Sequence, residues 1–299
     1  MSKEELKLPS VDGYELSLAV FKAEKPKGVI QMIHGMEEHK ERYYPFCEFL
    51  AKNGISSVIS DLRGHGKDAP LLSHISNKYG ERLLIDDQNE IRKYIAREFE
   101  DVPLYLFGHS MGTIIARVLL QTQGKKYKRV ALSGYVCPNS SAGLGAILVS
   151  CISLFKGSKG HSKLINDMAM GPFTKAIEER KTDLDWLSYN EENVKKYIED
   201  PLCGVEFTLG SYHTLMKLLS QMAKPSRFKK VDPALPIYLI SGKDDPCTGG
   251  EKGRNASRNI LLKAGYKNIE VNTVENMRHE ILNEKDNKQI YEALLTFYK

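Results

Sequence analysis

A serine between two glycines, in the order Gly108-His109-Ser110-Met111-Gly112, is the arrangement that exposes a hydroxyl for nucleophilic attack. The apolar run Leu104 to Phe107 leads into it, and Ile114, Ile115, Ala116, Val118 and Leu119 continue as a helix. Strand, sharp turn and helix would lift the Ser110 hydroxyl clear of a sheet and set it at the positive end of a helix. Gly108 and Gly112 would remove the Cβ atoms that obstruct such a turn. A serine here could also serve as a plain helix N-cap. That role needs no glycine on either side, so the pattern favours a nucleophile.

A serine hydroxyl attacks a carbonyl only when a base takes its proton, and a carboxylate must hold the base in the productive tautomer. The chain contains 8 histidines. The order serine, acid, histidine that accompanies this kind of turn excludes His34, His39, His65, His74 and His109. Of the remaining three, His161 and His213 fall in a segment without strand patterning. His279 lies between the last strand pattern and the final helix, where a rigid scaffold presents catalytic groups, and is the expected base. The acid is expected in Ser241-Gly242-Lys243-Asp244-Asp245-Pro246, directly after the apolar run Ile237 to Ile240. The same residues suit an Asx turn, and spacing leaves both Asp244 and Asp245 open. A developing oxyanion needs backbone N–H donors. Met111, next to the serine, supplies one, and Met36 in His34-Gly35-Met36, after the run Val29 to Ile33, is the candidate for the second.

Positioning these groups requires a sheet. Apolar runs at Val29 to Ile33, Ile55 to Ile59, Leu104 to Phe107, Val130 to Leu132, Ile237 to Ile240 and Ile269 to Val274 read as buried, mostly parallel strands. Tyr14, Leu16, Leu18 and Val20 alternate with Glu15, Ser17 and Ala19, the period of a half-buried antiparallel strand. Helical patterns lie between them: Ile91, Ile95 and Phe99 share one face, Ile260 and Leu261 precede a stop at Gly265, and Ile290, Leu294, Phe297 and Tyr298 close the chain. The fold class is therefore α/β, a mostly parallel central sheet flanked by helices. The alternation breaks between Cys137 and Lys230, which reads as an inserted helical cap over residues 137–230, with the core formed by residues 1–136 and 231–299.

The chain of 299 residues, 41% hydrophobic and 27% charged, fits one large α/β domain with an insertion on a prior of ~150 residues per domain. Lys and Arg number 43 against 38 Asp and Glu, and the excess is dispersed. Its densest runs, around Lys125 to Arg129 and Arg227 to Lys230, lack the interleaved aromatics of a base-stacking surface, so no nucleic-acid partner is expected. The 5 cysteines (Cys47, Cys137, Cys151, Cys203, Cys247) contain no C-x-x-C. With no apolar leader in Met1 to Ser10, they point to a reducing, cytoplasmic compartment and away from a zinc site. Gly143-Leu144-Gly145 lacks the rest of a dinucleotide fingerprint. No cofactor and no catalytic metal are expected. The longest apolar run, Ala142 to Phe155, is shorter than the ~20 residues of a membrane span; it opens the cap, where it would pack as ordinary core, line an acyl pocket or meet a lipid surface.

With these pieces placed, the sequence resembles the α/β-hydrolases, in their monoacylglycerol lipase and lysophospholipase-like branch, over nearly the whole chain. His34-Gly35-Met36-Glu37-Glu38-His39 with Arg42-Tyr43 is similar to that branch's oxyanion segment, and Asp61-Leu62-Arg63-Gly64-His65-Gly66 to the loop that follows. Gly108 to Gly112 resembles its elbow and Arg278-His279-Glu280 its histidine loop. The family's acid falls three residues after a glycine, which maps from Gly242 onto Asp245. Asp185-Trp186-Leu187-Ser188 and Asp200-Pro201-Leu202-Cys203-Gly204 resemble the cap of bacterial members. The resemblance implies an α/β-hydrolase fold and a serine hydrolase of carboxylic esters acting through an acyl-enzyme. Its substrate would be a small acyl ester or lipid of monoacylglycerol or lysophospholipid type, and the rate would rise through a His279 titration near ~6.5. Two rivals remain: an aminopeptidase on the same fold, which needs a carboxylate near Ser110 to hold a free amine, and a ligand-binding module without turnover.

Overall fold

The apolar runs pair side by side in the computed structural model, which describes residues 1–299. One eight-stranded sheet runs in the order β1 (Ser2–Pro9), β2 (Glu15–Lys22), β4 (Ile55–Ser60), β3 (Gly28–Ile33), β5 (Leu104–His109), β6 (Arg129–Ser133), β7 (Ile237–Gly242), β8 (Ile269–Val274). β1 and β2 are antiparallel to their neighbours, and from β4 onward every pair is parallel. The continuous hydrophobicity of the central strands follows from helices on both faces. Ile30, Met32, Phe107, Ala131, Tyr238 and Ile240 face the layer of α1 (Tyr44–Lys52) and α9 (Asn287–Tyr298). Leu106, Val130, Leu132, Ile237 and Leu239 face the opposite layer, where α2 (Gly80–Glu98), α3 (Met111–Gln123) and α8 (Gly250–Ala264) pack. Gly265, at φ 109°, ends α8 where a left-handed residue is needed.

The N-terminal hairpin differs from the alternating, half-buried strand expected around Tyr14 to Val20. In β2 every residue from Leu16 to Phe21 is buried. Ala19 and Phe21 enter the core beneath α1, while Leu16, Leu18 and Val20 pack with Ile91, Tyr94 and Ile95 of α2. Ser17 and Ala19 read as a solvent face because they are small, yet their size lets the second helix layer close over them. β1 gave no signal at all: its Lys3, Glu4, Glu5 and Lys7 are exposed or nearly so, and a charged strand of this kind protects a sheet edge from further pairing.

Between β6 and β7 the chain forms no strand, only short 3₁₀ turns and the helices α4 (Ala142–Lys156), α5 (Lys163–Lys175), α6 (Glu191–Glu199) and α7 (Leu209–Met222). The stretch is not uniform. Leu218 and Met222 of α7 are fully buried in the main core against α3, so the last helix of the insertion roots it in the sheet domain. α4 lies along α7, and α5 and α6 lie over the carboxyl ends of the strands, where the candidate site residues converge. No helix is long and apolar enough to cross a membrane.

Candidate active site

β5 ends at His109 and α3 begins at Met111, so the reversal between them is made by Ser110 alone, at φ 51° and ψ −120°. A side chain held there costs on the order of 1–3 kcal/mol and persists only where its surroundings enforce it. The Ser110 N–H donates to the Ser133 carbonyl at 3.0 Å, and its own carbonyl accepts from the Thr113 N–H at 2.9 Å and the Thr113 hydroxyl at 2.7 Å. The flanking glycines permit close backbone approach: a Cβ on Gly108 would lie 2.6 Å from the Gly112 carbonyl oxygen, and one on Gly112 only 2.2 Å from that of Ile33. The turn can form because these two atoms are missing.

The loop after β3 is built around the N–H of Met36. The N–H groups on either side are occupied: Gly35 donates to Glu38 Oε1 at 2.6 Å and Glu37 donates to His65 Nε2 at 3.2 Å. Met36 N–H has no acceptor in the chain. Met111 N–H, first in α3, has none either, as expected of an opening helical residue. Both methionines line the same cavity as Ser110.

Two buried imidazoles hold this loop in place. His34 Nε2 accepts from the Leu62 N–H at 2.9 Å, so its protonated Nδ1 donates to the Gly35 carbonyl at 2.8 Å. His65 accepts from Glu37 through Nε2 and donates through Nδ1 to the Arg63 carbonyl at 2.9 Å. Burial pushes each down to about 3, so both stay neutral and keep one donor and one acceptor. Chain order excluded them as bases, and their role here is structural.

The candidate base and acid come from the loops after β7 and β8. Asp245 Oδ2 accepts from His279 Nδ1 at 3.0 Å and Oδ1 from the Cys247 N–H at 2.8 Å. His279 Nε2 is left free, and its ring lines the cavity with Ser110. Asp244 is turned outward, accepting from the Tyr189 hydroxyl at 3.0 Å, so of the two adjacent aspartates only Asp245 meets the imidazole. The histidine loop runs directly over β7: a Cβ on Gly242 would fall 2.1 Å from the Met277 carbonyl oxygen and 2.2 Å from that of Arg278. His161 and His213 do not line the cavity.

Burial alone would lower the His279 imidazole, but the charge and hydrogen bond of Asp245, with Glu280 and Glu38 adding to them, raise it above its ordinary 6.5. The expectation of a titration near that value is corrected upward: a carboxylate bonded to one ring nitrogen in a buried site favours the charged form.

Sequence reasoning missed the side chains that join these loops. Arg42 donates from both terminal nitrogens to Glu280, at 2.6 Å each, and from Nη1 to Glu38 at 2.9 Å. Asn193 of α6 completes the group, donating to Glu280 at 2.6 Å. Burial would raise the Glu280 carboxyl, yet Arg42 holds it well below the usual range. Farther along the insertion, Glu280 N–H donates to the Leu187 carbonyl at 2.7 Å and Arg278 to that of Asp185 at 2.6 Å. Glu284 accepts from the Ser188 hydroxyl at 2.7 Å and the Arg278 N–H at 3.0 Å. This stitching places the Trp186 ring 5.0 Å from that of His279. Glu38, Arg42 and Glu280 stand in motifs the sequence shows, but nothing local in either segment marks them as partners.

The cavity over Ser110 has a volume of about 300 Å³ and is lined mainly by hydrophobic side chains from α5, α7 and the Leu184–Leu187 stretch. Two groups of side chains have metal-ligating types, and neither offers a free donor set. Asp245, Cys247 and His279 include the bonded acid and base. In the other, with Asp200 and Cys203, His39 has both nitrogens engaged, Nδ1 with Glu41 at 2.7 Å and Nε2 with Asp200 at 2.8 Å.

The family described as "Serine aminopeptidase, S33" matches residues 24–286. Phospholipase YtpA of Bacillus subtilis is 26% identical over 284 residues, covering 93% of this chain and 97% of that protein. Monoacylglycerol lipase of Mycolicibacterium smegmatis is 23% identical over 276 residues, covering 91% and 88%. Among solved structures, a thermostable carboxyl esterase from Bacillus coagulans in complex with glycerol superposes with a TM-score of 0.89 at 25% identity, covering 100% of this chain and 98% of that one. The fold is that of the α/β-hydrolases.

Replacing Arg42 by Ala leaves Glu280 and Glu38 buried without their cation. Breaking a buried pair in this way costs about 3–5 kcal/mol, which a urea unfolding midpoint will register; an unchanged midpoint would mean that water replaces the guanidinium freely.

Proposed function

The chain belongs to the serine aminopeptidase S33 family, and from that membership and the arrangement of the site we propose that it hydrolyses carboxylic esters through an acyl-enzyme on Ser110. The observation that carries the reading is the convergence on one apolar cavity of a strained serine, an imidazole bonded to a buried aspartate, and two N–H groups without acceptors. In this mechanism His279 Nε2 takes the hydroxyl proton as Ser110 Oγ attacks the ester carbon. Met36 and Met111 N–H groups hold the oxyanion, and Asp245 stabilises the imidazolium. The imidazolium returns the proton to the departing alcohol. Water, deprotonated by the same nitrogen, then releases the acid and regenerates Ser110.

Substrates of monoacylglycerol or lysophospholipid type are supported by the names of the relatives and by the cavity itself, whose apolar wall stabilises an acyl chain by ~0.8 kcal/mol per buried CH₂. The second reading, release of an N-terminal residue, draws on the family's description and on Glu37, a cavity carboxyl that forms no ion pair. The five free cysteines support a reducing, cytoplasmic setting.

The apolar run of α4 is packed on one face and exposed on the other. None of its residues lines the cavity. Ala142, Ala146 and Val149 pack inward, while Leu144, Ile147, Leu154 and Phe155 are exposed, as are Leu164 and Met168 of α5. Met168 also lines the cavity. We read this face as the one that meets a lipid surface, with the cavity mouth next to it.

A fluorophosphonate will label the protein, and Ser110→Ala will abolish both labelling and ester turnover; labelling that persists in the variant would place the nucleophile elsewhere. Because only deprotonated His279 can accept the proton, kcat/KM for a p-nitrophenyl ester will fall as pH is lowered, with a half-point above 6.5; a half-point at or below 6.5 would contradict the raised imidazole. Phe155→Glu will slow cleavage of esters presented in vesicles more than cleavage of short dissolved esters, and equal effects on both would remove the lipid-facing role.

A further inference from the structure

Glu37 stands where the catalytic cavity meets a second pocket, of about 420 Å³ and mostly polar lining. Glu37, Met170, Leu184 and Trp186 form part of both walls. Its backbone is left-handed, at φ 56°, a conformation that glycine adopts without strain and glutamate does not. The strain is held by the neighbours: the Glu37 carbonyl accepts from the Gly204 N–H at 2.9 Å and the Tyr197 hydroxyl at 2.7 Å. Its side chain is buried, with the residue only 9% exposed. Oε1 accepts from the Phe207 N–H at 3.1 Å, and Oε2 has no hydrogen bond in the chain.

Glu206 lines the same polar pocket and carries a buried Oε1 without a partner. Burial, with the Glu206 charge adding to it, pushes the Glu37 carboxyl up to about 8. No protein cation relieves the pair. Arg42 is engaged by Glu38 and Glu280, Arg180 on the pocket wall is paired with Asp183, and Lys175 makes no ion pair with either glutamate. Asp167, also on that wall, is paired with Lys163. Buried carboxyls are ordinarily paired or neutralised, and Glu37, pushed up to about 8, rests neutral until a cation beside it favours its charged form. A buried carboxyl and a half-buried one with an unpartnered oxygen, both open to a pocket beside the reacting serine, suit a cation that arrives with the ligand. Trp186 adds an aromatic wall of the kind that attracts ammonium groups.

We propose that Glu37 and Glu206 form a specificity site for the alcohol portion of the substrate, and that this portion bears a positively charged nitrogen of the choline or ethanolamine class. The proposal rests on the ester-hydrolase reading. The acyl chain takes the apolar cavity, which leaves the polar pocket to the head group.

The test compares kcat/KM for an O-acylcholine with that for the 3,3-dimethylbutyl ester of the same acid, which has carbon in place of the charged nitrogen. The native protein will favour the choline ester by about tenfold, the equivalent of about 1.4 kcal/mol. The ratio will fall toward one in Glu37→Gln and in Glu206→Gln. Glu206 lies outside the loop that carries Met36, so its variant reads the charge even if Glu37→Gln disturbs that loop. A native ratio near one, or a preference that survives in both variants, overturns the proposal and leaves the ester-hydrolase reading standing. Failure to cleave either ester sinks both. A preference for cationic nitrogen confined to the acyl side, seen with aminoacyl p-nitroanilides, overturns the alcohol-side assignment in favour of the aminopeptidase reading.

Discussion

The guanidinium of Arg42 joins three parts of the chain that are far apart in sequence. Its two bonds to Glu280 fix the loop that carries His279, its bond to Glu38 fixes the loop that carries Met36, and Asn193 extends the group into α6. Each carboxylate would be costly to bury alone, and each is acceptable only while the cation is present. The distance between the candidate base and the candidate oxyanion donor is thereby set by one planar fork. Planar, bidentate geometry transmits orientation as well as charge, so a lysine in its place would hold the loops less firmly.

Burial sorts the histidines into separate tasks. His34, His65 and His109 are enclosed without a carboxylate on the ring and are pushed down, to about 3 for the first two and about 4 for the third. His279 is equally enclosed yet is raised, because Asp245 is bonded to it. Four imidazoles in one neighbourhood therefore differ in protonation behaviour through their partners alone. His34 and His65 act as fixed donor and acceptor pairs, and the raised His279 is the candidate for cycling a proton.

Much of this was readable beforehand. Five of the six apolar runs, β3 to β7, announce themselves because both faces of each are covered, while β8 at the sheet edge is half exposed; the elbow announces itself through Gly108 and Gly112, whose missing Cβ atoms the turn requires. β1 was invisible because an edge strand bears the charge that keeps other strands away. The contest between Asp244 and Asp245 could not be decided from spacing; it depends on the side to which each side chain points after β7, and Asp244 is drawn outward by Tyr189. Arg42 and Glu280 were beyond reach for a different reason. Their pairing spans 238 residues, and nothing local in either segment marks its partner.

The stitching of Asp185 to Asn193 onto the histidine loop divides the insertion into halves with unequal freedom. Swinging this half outward would break the bonds of Leu187 to Glu280, of Asp185 to Arg278 and of Asn193 to Glu280, and would carry the Trp186 ring away from His279. Opening there would loosen the loop that carries His279. α5 is tied to the same half, through Phe173 against the Trp186 ring at 5.2 Å and the Thr174 hydroxyl on the Asp183 carbonyl, whereas α4 lies along α7 and makes no hydrogen bond to the histidine loop. α4 can therefore shift along α7 without breaking any of those bonds, so the apolar surface it carries is free to give way while the His279 ring stays in register.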